Sequence, residues 1–295
     1  MEQRRQLLQG LAAGAALWAA GPARAQPAFR SSRIAVTARG RGPDVILIPG
    51  LASTAEVWTG LAGQLQTRRR LHLVSIRGFG DLAPQANADG AVMAAVAAEV
   101  RRYITEQRLE RPALIGHSMG GQVGLRVAAD AGSRVGRVMT VDSSPFFPAL
   151  ISPQATVRDV EPIAQVAYQA IQFLGDDALK TRGRSMGLEL GGAADAVFQS
   201  MGWQGGDRRV LAQALYEVMT VDLRRRLPEI TAPVTVVYGW SADESSPRAR
   251  ADSLFRGAYA SLRRPATFER IEGAEHMVMI DQPRRFLAAV ERFLA

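Results

Sequence analysis

The chain has 295 residues, of which 47% are apolar and 22% charged. That is enough apolar material for the core of one domain with an insertion, and it excludes extensive disorder. No cysteine is present, which excludes disulfides, thiolate nucleophiles and Cys-ligated zinc; three histidines with no His-x-x-x-His pair argue against a histidine-rich metal site. The net charge of +8 rests on arginine, with Lys180 the sole lysine. The arginines are scattered, and the runs 68–70 and 224–226 fall at predicted element ends. A solvated basic surface therefore accounts for the charge, and no nucleic-acid partner is expected.

The first 25 residues read as a targeting segment. Arg4-Arg5 precedes an apolar stretch, Leu7 to Ala20, then Gly21-Pro22 and the small-residue tripeptide Ala23-Arg24-Ala25. A charged n-region, an h-region and an A-x-A site stand in signal-peptide order, and the apolar stretch is short for a transmembrane helix. Arg4-Arg5-Gln6-Leu7-Leu8 resembles a twin-arginine export signal, departing from it at Gln3. The expectation is contact with an export machinery, cleavage after Ala25, and a periplasmic or secreted mature chain starting at Gln26. An uncleaved N-terminal anchor is the alternative.

Beyond the leader, strands and helices alternate. Val45–Ile48, Leu71–Ile76, Pro112–Gly116, Val135–Val141, Val234–Tyr238 and Thr267–Ile271 read as strands. Ala91–Gln107, Gly120–Ala131 and Pro283–Leu294 read as helices, the last with proline at its start. Such alternation predicts an α/β fold with a mostly parallel sheet and helices on both faces. The rhythm breaks between Phe146 and Pro228. That stretch has no convincing strand and shows helical patterns at Val160–Leu174, Asp176–Met186 and Asp207–Arg226. The expected organisation is a core of residues 26–145 and 229–295, with a helical cap of residues 146–228 over the carboxyl ends of the strands, where the sites of such sheets lie.

Gly116-His117-Ser118-Met119-Gly120-Gly121 follows an apolar strand and opens a helix, the context that a G-x-S-x-G nucleophile elbow requires. Glycines admit the sharp turn that lifts Ser118 to the top of the sheet, with a helix N-terminus aimed at it. On this motif in this setting, the chain resembles the α/β-hydrolase superfamily over residues 30–295.

The resemblance implies Ser118 as nucleophile, with an oxyanion hole made by the backbone N–H groups of Met119 and of Leu51. Leu51 lies in the loop Pro49-Gly50-Leu51-Ala52-Ser53, where Pro49 replaces the family's usual histidine. The order Ser, acid, His assigns the general base to His276, in Gly273-Ala274-Glu275-His276-Met277 after the last strand. The acid belongs in the loop after Val234–Tyr238, where Asp243 is the first choice, although it falls four rather than three residues after Gly239. Asp142, at the end of the preceding core strand, and Glu244 are the other candidates. His72 reads as structural, and the His117 side chain is expected to point away from that of Ser118. Trp58, Phe146, Phe147 and Trp203 are candidates either for an acyl pocket or for packing.

The implied activity is hydrolysis of a carboxylic ester of a small-molecule acyl substrate through an acyl-enzyme, without metal or organic cofactor. Perhydrolase, amide and C–C bond chemistry fit the same residues. A non-catalytic binder on the same fold is the reading of another class. No feature of the sequence bears on the oligomeric state.

Overall fold

The computed structural model describes residues 29–185, 203–242 and 247–295. The expected signal segment, residues 1–25, lies outside the described residues. Seven strands form one sheet in the order β1-β3-β2-β4-β5-β6-β7. They are β1 (Ile34–Gly40), β2 (Asp44–Ile48), β3 (Arg70–Ile76), β4 (Ala113–His117), β5 (Arg137–Val141), β6 (Val234–Trp240) and β7 (Thr267–Glu272). All neighbours pair in parallel except β1, which runs antiparallel to β3 at the edge.

The helices are α1 (Thr59–Leu65), α2 (Met93–Glu106), α3 (Met119–Ala131), α4 (Val157–Ser185), α5 (Arg208–Thr220), α6 (Arg248–Ala258), α7 (Val278–Asp281) and α8 (Pro283–Leu294). They cover both faces of the sheet, so successive residues of an inner strand enter opposite cores. In β2, Ile46 and Ile48 join a core with Val96 and Val100 of α2 and Val123 and Val127 of α3. Val45 and Leu47 join the other core, with Leu61 and Leu65 of α1 and Phe286, Val290 and Phe293 of α8. In α8 those three residues are spaced i, i+4, i+7, which puts them on one stripe.

Edge strand β1 was not among the sequence expectations. Only Ile34 of it is buried, and its last four residues are exposed, so the continuous apolar run that marks an inner strand is missing. Between β5 and β6 the described chain is helical. It contains α4, which runs unbroken where two helical patterns were expected, then α5, and a 3-10 turn at Arg224–Glu229.

Glu217 on α5 ties this insertion to the core. Its buried carboxylate accepts the N–H groups of Val92 at 2.8 Å and Met93 at 2.7 Å, the first turn of α2. No local side chain caps α2, so a residue 124 positions away satisfies donors that would otherwise be orphaned.

Candidate active site

Four loops at the carboxyl ends of β2, β4, β5 and β7 carry the polar residues of interest. Ser118 follows β4 directly and begins α3, with φ 51° and ψ −122°, a conformation a side-chain-bearing residue adopts only under constraint. The glycines around it have a steric explanation. A Cβ on Gly116 would lie 2.2 Å from the carbonyl oxygen of Gly120, and one on Gly120 would lie 2.3 Å from that of Ile48. The Ser118 N–H donates to Val141 O at 2.9 Å, and the Ser118 carbonyl accepts the hydroxyl of Ser143 at 2.7 Å. The turn at Ser118 is thus fixed to the end of β5 on both sides of its peptide. Ser118 itself is buried, with 7% of its surface exposed.

The next residue along β5 is Asp142, also at positive φ (44°). Its N–H donates to Val237 O at 2.8 Å, and its Oδ1 accepts the Gly239 N–H at 3.2 Å. Its Oδ2 lies 2.6 Å from Nδ1 of His276. A carboxylate only accepts, so Nδ1 carries the proton and the lone pair of the neutral ring sits on Nε2.

The carboxylate on the histidine is therefore that of Asp142, where Asp243 was the first expectation. Asp243 and Glu244 lie outside the described residues. The physical reason for the difference is sheet order. Strand β5 is the direct neighbour of β4, so the residue after β5 stands beside Ser118. His276 comes from β7, and its loop folds back across the end of β6. A Cβ on Gly239 would lie 2.3 Å from Glu275 O and 2.6 Å from Ala274 O. Gly239 is what lets this loop pass, and its N–H holds the Asp142 carboxylate.

His117 supports the same loop from beneath. Its ring lies 4.6 Å from that of His276, centroid to centroid, and its Nε2 donates to the His276 carbonyl at 2.9 Å. Its Nδ1 is buried without a partner. Burial, and secondly the neighbouring His276, hold the His117 pKa well below the usual histidine range. His117 is thus a neutral ring in the wall of the site. His72 is likewise buried and structural. Its Nδ1 meets the Tyr103 hydroxyl at 2.7 Å and its Nε2 meets Asp44 at 2.9 Å, at the far end of the strands.

Leu51 lies in the turn after β2, the other neighbour of β4. Among the described residues, no acceptor of the chain takes the backbone N–H of Leu51 or that of Met119. Tyr259 braces the acid loop. Its hydroxyl is 2.9 Å from both Thr140 Oγ1 and Ser143 O. A carbonyl only accepts, so the single tyrosine proton goes to Ser143 O and Thr140 donates in turn. Sequence reasoning missed Ser143 and Tyr259; neither residue type carries a spacing signal. Of the aromatic candidates, Trp58 and Phe146 are wholly buried. Trp58 stacks near Phe286, and Phe146 lies under the Arg224 guanidinium, so both are packing residues. Among the described residues no group of three His, Cys, Asp or Glu side chains is placed to hold a metal ion.

A doubly covered parallel sheet, with a strained serine on the turn from strand to helix and a histidine–carboxylate pair at the neighbouring strand ends, defines the α/β-hydrolase class. The chain belongs to the alpha/beta hydrolase family, whose model matches residues 45–290. The chain is 30% identical over 270 residues to the pimeloyl-[acyl-carrier protein] methyl ester esterase of Aeromonas hydrophila, an alignment spanning 88% of this chain and 99% of that one. The enzyme of the same name from Aeromonas salmonicida is also 30% identical, with the same shares covered. Among solved structures, a thermophilic esterase from Thermogutta terrifontis superposes with a TM-score of 0.67 at 20% identity, covering 88% of this chain and 92% of that chain. An enol-lactonase from Burkholderia xenovorans LB400 gives 0.63 at 18%, covering 88% and 96%. At those identities the two structures speak for the fold alone.

Proposed function

We propose that this chain is a serine hydrolase that cleaves carboxylic esters through an acyl-enzyme. Ser118 is the nucleophile, His276 the general base and Asp142 the acid that orients it. The observation that carries this reading is the 2.6 Å contact of Asp142 with Nδ1 of His276, made one strand away from a serine held at positive φ. With its proton on Nδ1, His276 offers the Nε2 lone pair to the Ser118 hydroxyl. The serine oxygen attacks the ester carbonyl, and its proton passes to Nε2. The N–H groups of Leu51 and Met119 receive the charge that develops on the carbonyl oxygen. The tetrahedral adduct collapses, the imidazolium returns its proton to the departing alcohol, and the acyl group stays on Ser118. Water, deprotonated by His276, then releases the carboxylic acid. The names of the methyl ester esterase relatives favour a carboxylic ester over an amide.

The helical insertion, residues 146–228, serves in this reading as the cap that selects the acyl or alcohol group. Residues 1–25 serve as an export signal, which cell fractionation and N-terminal sequencing of the mature chain test. The catalytic reading is tested by treating the protein with a fluorophosphonate and locating the adduct by mass spectrometry. The adduct is expected on Ser118 and absent from Ser118→Ala. Folded wild-type protein that takes up no label refutes the assignment.

A further inference from the structure

Residues 204–207, which lead into α5 within the insertion, run against two loops at the strand ends. The backbone N–H of Gln204 donates to Ala52 O at 2.7 Å, and its side-chain Oε1 accepts the Thr54 N–H at 2.6 Å. Gly80 N–H donates to Gly205 O at 3.0 Å, Gly206 forms a bridge with Phe79, and Asp207 N–H donates to Gly78 O at 2.8 Å. Gly206 is at φ 149°, and a Cβ there would lie 2.1 Å from Gly78 O. Four consecutive residues are thus fitted along the loops that follow β2 and β3, at a closeness that only glycine permits at Gly206.

The residue gripped most directly is Ala52, at φ 54°. A side-chain-bearing residue keeps this conformation only where its surroundings impose it. Within the loop itself, Ser53 N–H donates to Gly50 O at 3.3 Å and the Ser53 hydroxyl to Leu51 O at 3.4 Å. The two short bonds come from Gln204 and bracket Ser53, beginning at Ala52, immediately after the residue whose N–H would line the hole.

We propose that Gln204 is a positioning residue for the oxyanion hole, clamping the Ala52–Thr54 turn so that the Leu51 N–H is aligned only while the return segment of the insertion is seated. The inference rests on the hydrolase reading, in which Leu51 is an oxyanion donor. It makes the insertion a control on turnover as well as on fit. Donors of this kind act on charge that exists only in the transition state, so a misaligned Leu51 lowers kcat and leaves KM in place.

Two variants separate the side-chain clamp from bulk. Gln204→Met keeps the length and the backbone bond to Ala52 but removes the acceptor for Thr54 N–H. Gln204→Glu, made in a Glu56→Gln background so that no two carboxylates meet where Gln204 Nε2 now donates to Glu56 Oε2 at 3.3 Å, keeps an acceptor. Gln204 is exposed, so both are expected to melt close to wild type. On a p-nitrophenyl ester, Q204M is expected to lose about tenfold in kcat with KM unchanged, and Q204E to recover most of that loss. Affinity for a trifluoromethyl ketone, whose hemiketal oxygen occupies the hole, falls by the same factor as kcat/KM in Q204M. A Q204M variant with wild-type kcat, a rise in KM alone, or equal impairment of both variants overturns the proposal. Fluorophosphonate labelling keeps the two readings apart. If wild type does not label at Ser118, the hydrolase reading fails. If wild type labels and Q204M labels at the same rate, only the role of Gln204 fails.

Discussion

Replacing Asp142 by asparagine tests the acid assignment with little disturbance of the backbone. Asparagine tolerates the left-handed φ of 44° that this position requires. Its carbonyl oxygen can keep the Gly239 N–H that Asp142 Oδ1 now accepts at 3.2 Å. The amide nitrogen then faces Nδ1 of His276, and because that group donates, Nδ1 must become the acceptor. The ring proton moves to Nε2, where the base needs a lone pair, and the imidazolium loses its counter-charge. A wrong tautomer of this kind costs about 10³–10⁴ in kcat, or about 4–5.5 kcal/mol of transition-state stabilisation. The assay is steady-state hydrolysis of a p-nitrophenyl ester by D142N and D243N side by side, each shown by circular dichroism to be folded. D142N is expected to fall by that factor and D243N to stay within about threefold of wild type. A collapse in D243N with D142N near wild type would refute the argument and return the acid to the loop after β6.

Four further outcomes follow from the structure. Glu217→Ala strips two buried N–H groups of α2 of a charged acceptor and should destabilise the fold by about 2–4 kcal/mol in urea titration, with E217Q intermediate; a loss below about 0.5 kcal/mol would show that α2 does not need the tie. Gly50→Ala places a Cβ 2.8 Å from His117 Nδ1 and 3.1 Å from Ser118 Cβ, so ester turnover should drop at least about tenfold. Gly63→Ala, on the open side of α1 with nothing within 4 Å, should instead stabilise by about 0.5–1 kcal/mol. His117 is held neutral in the fold, so below pH 6.5 the unfolded chain takes up a proton that the folded chain refuses, and stability falls as pH falls. His72, shifted in the same direction, adds to that slope. His117→Gln should flatten it by up to about 1.4 kcal/mol per pH unit from pH 6.5 downwards, and superimposable slopes for the two proteins would contradict a neutral buried His117.

The parts legible in the sequence were those with a local signature. Inner strands announce themselves as apolar runs because both faces of the sheet are covered, and Leu71–Ile76 or Val234–Tyr238 needed only a residue or two added at an end. The elbow was legible because its glycines sit at fixed spacing about the serine between an apolar strand and a helix, although only Gly116 meets a near neighbour, Gly120 O, while Gly120 meets Ile48 O of the adjacent strand. Strand β1 was hidden by its exposed face. The choice among Asp243, Asp142 and Glu244 stayed open for a different reason. Counting forward from Gly239 leads to Asp243, whereas in the structure Gly239 serves as a gap for the Ala274–Glu275 backbone and as a donor to Asp142. Which carboxylate reaches His276 depends on sheet order and on the path of a loop from β7. Both are long-range properties that no spacing along the chain encodes.

Strain collects where those loops meet. Of the non-glycine residues with positive φ, Ala52, Ser118 and Asp142 follow β2, β4 and β5, three strands that lie side by side. Each such conformation costs about 1–2 kcal/mol, so the site carries about 3–6 kcal/mol that its surroundings must offset. The offsets are separate and nameable. Ala52 is held by Gln204, Ser118 by Val141 and Ser143, and Asp142 by Val237 and Gly239. Since each restraint comes from a different element, loosening one should impair its own catalytic group first and leave the others in place. The proposed roles therefore come apart by mutation: Gln204 through the oxyanion hole, and Gly239 through the Asp142–His276 pair, since its N–H donates to Asp142 and its bare Cα passes the Ala274–Glu275 backbone.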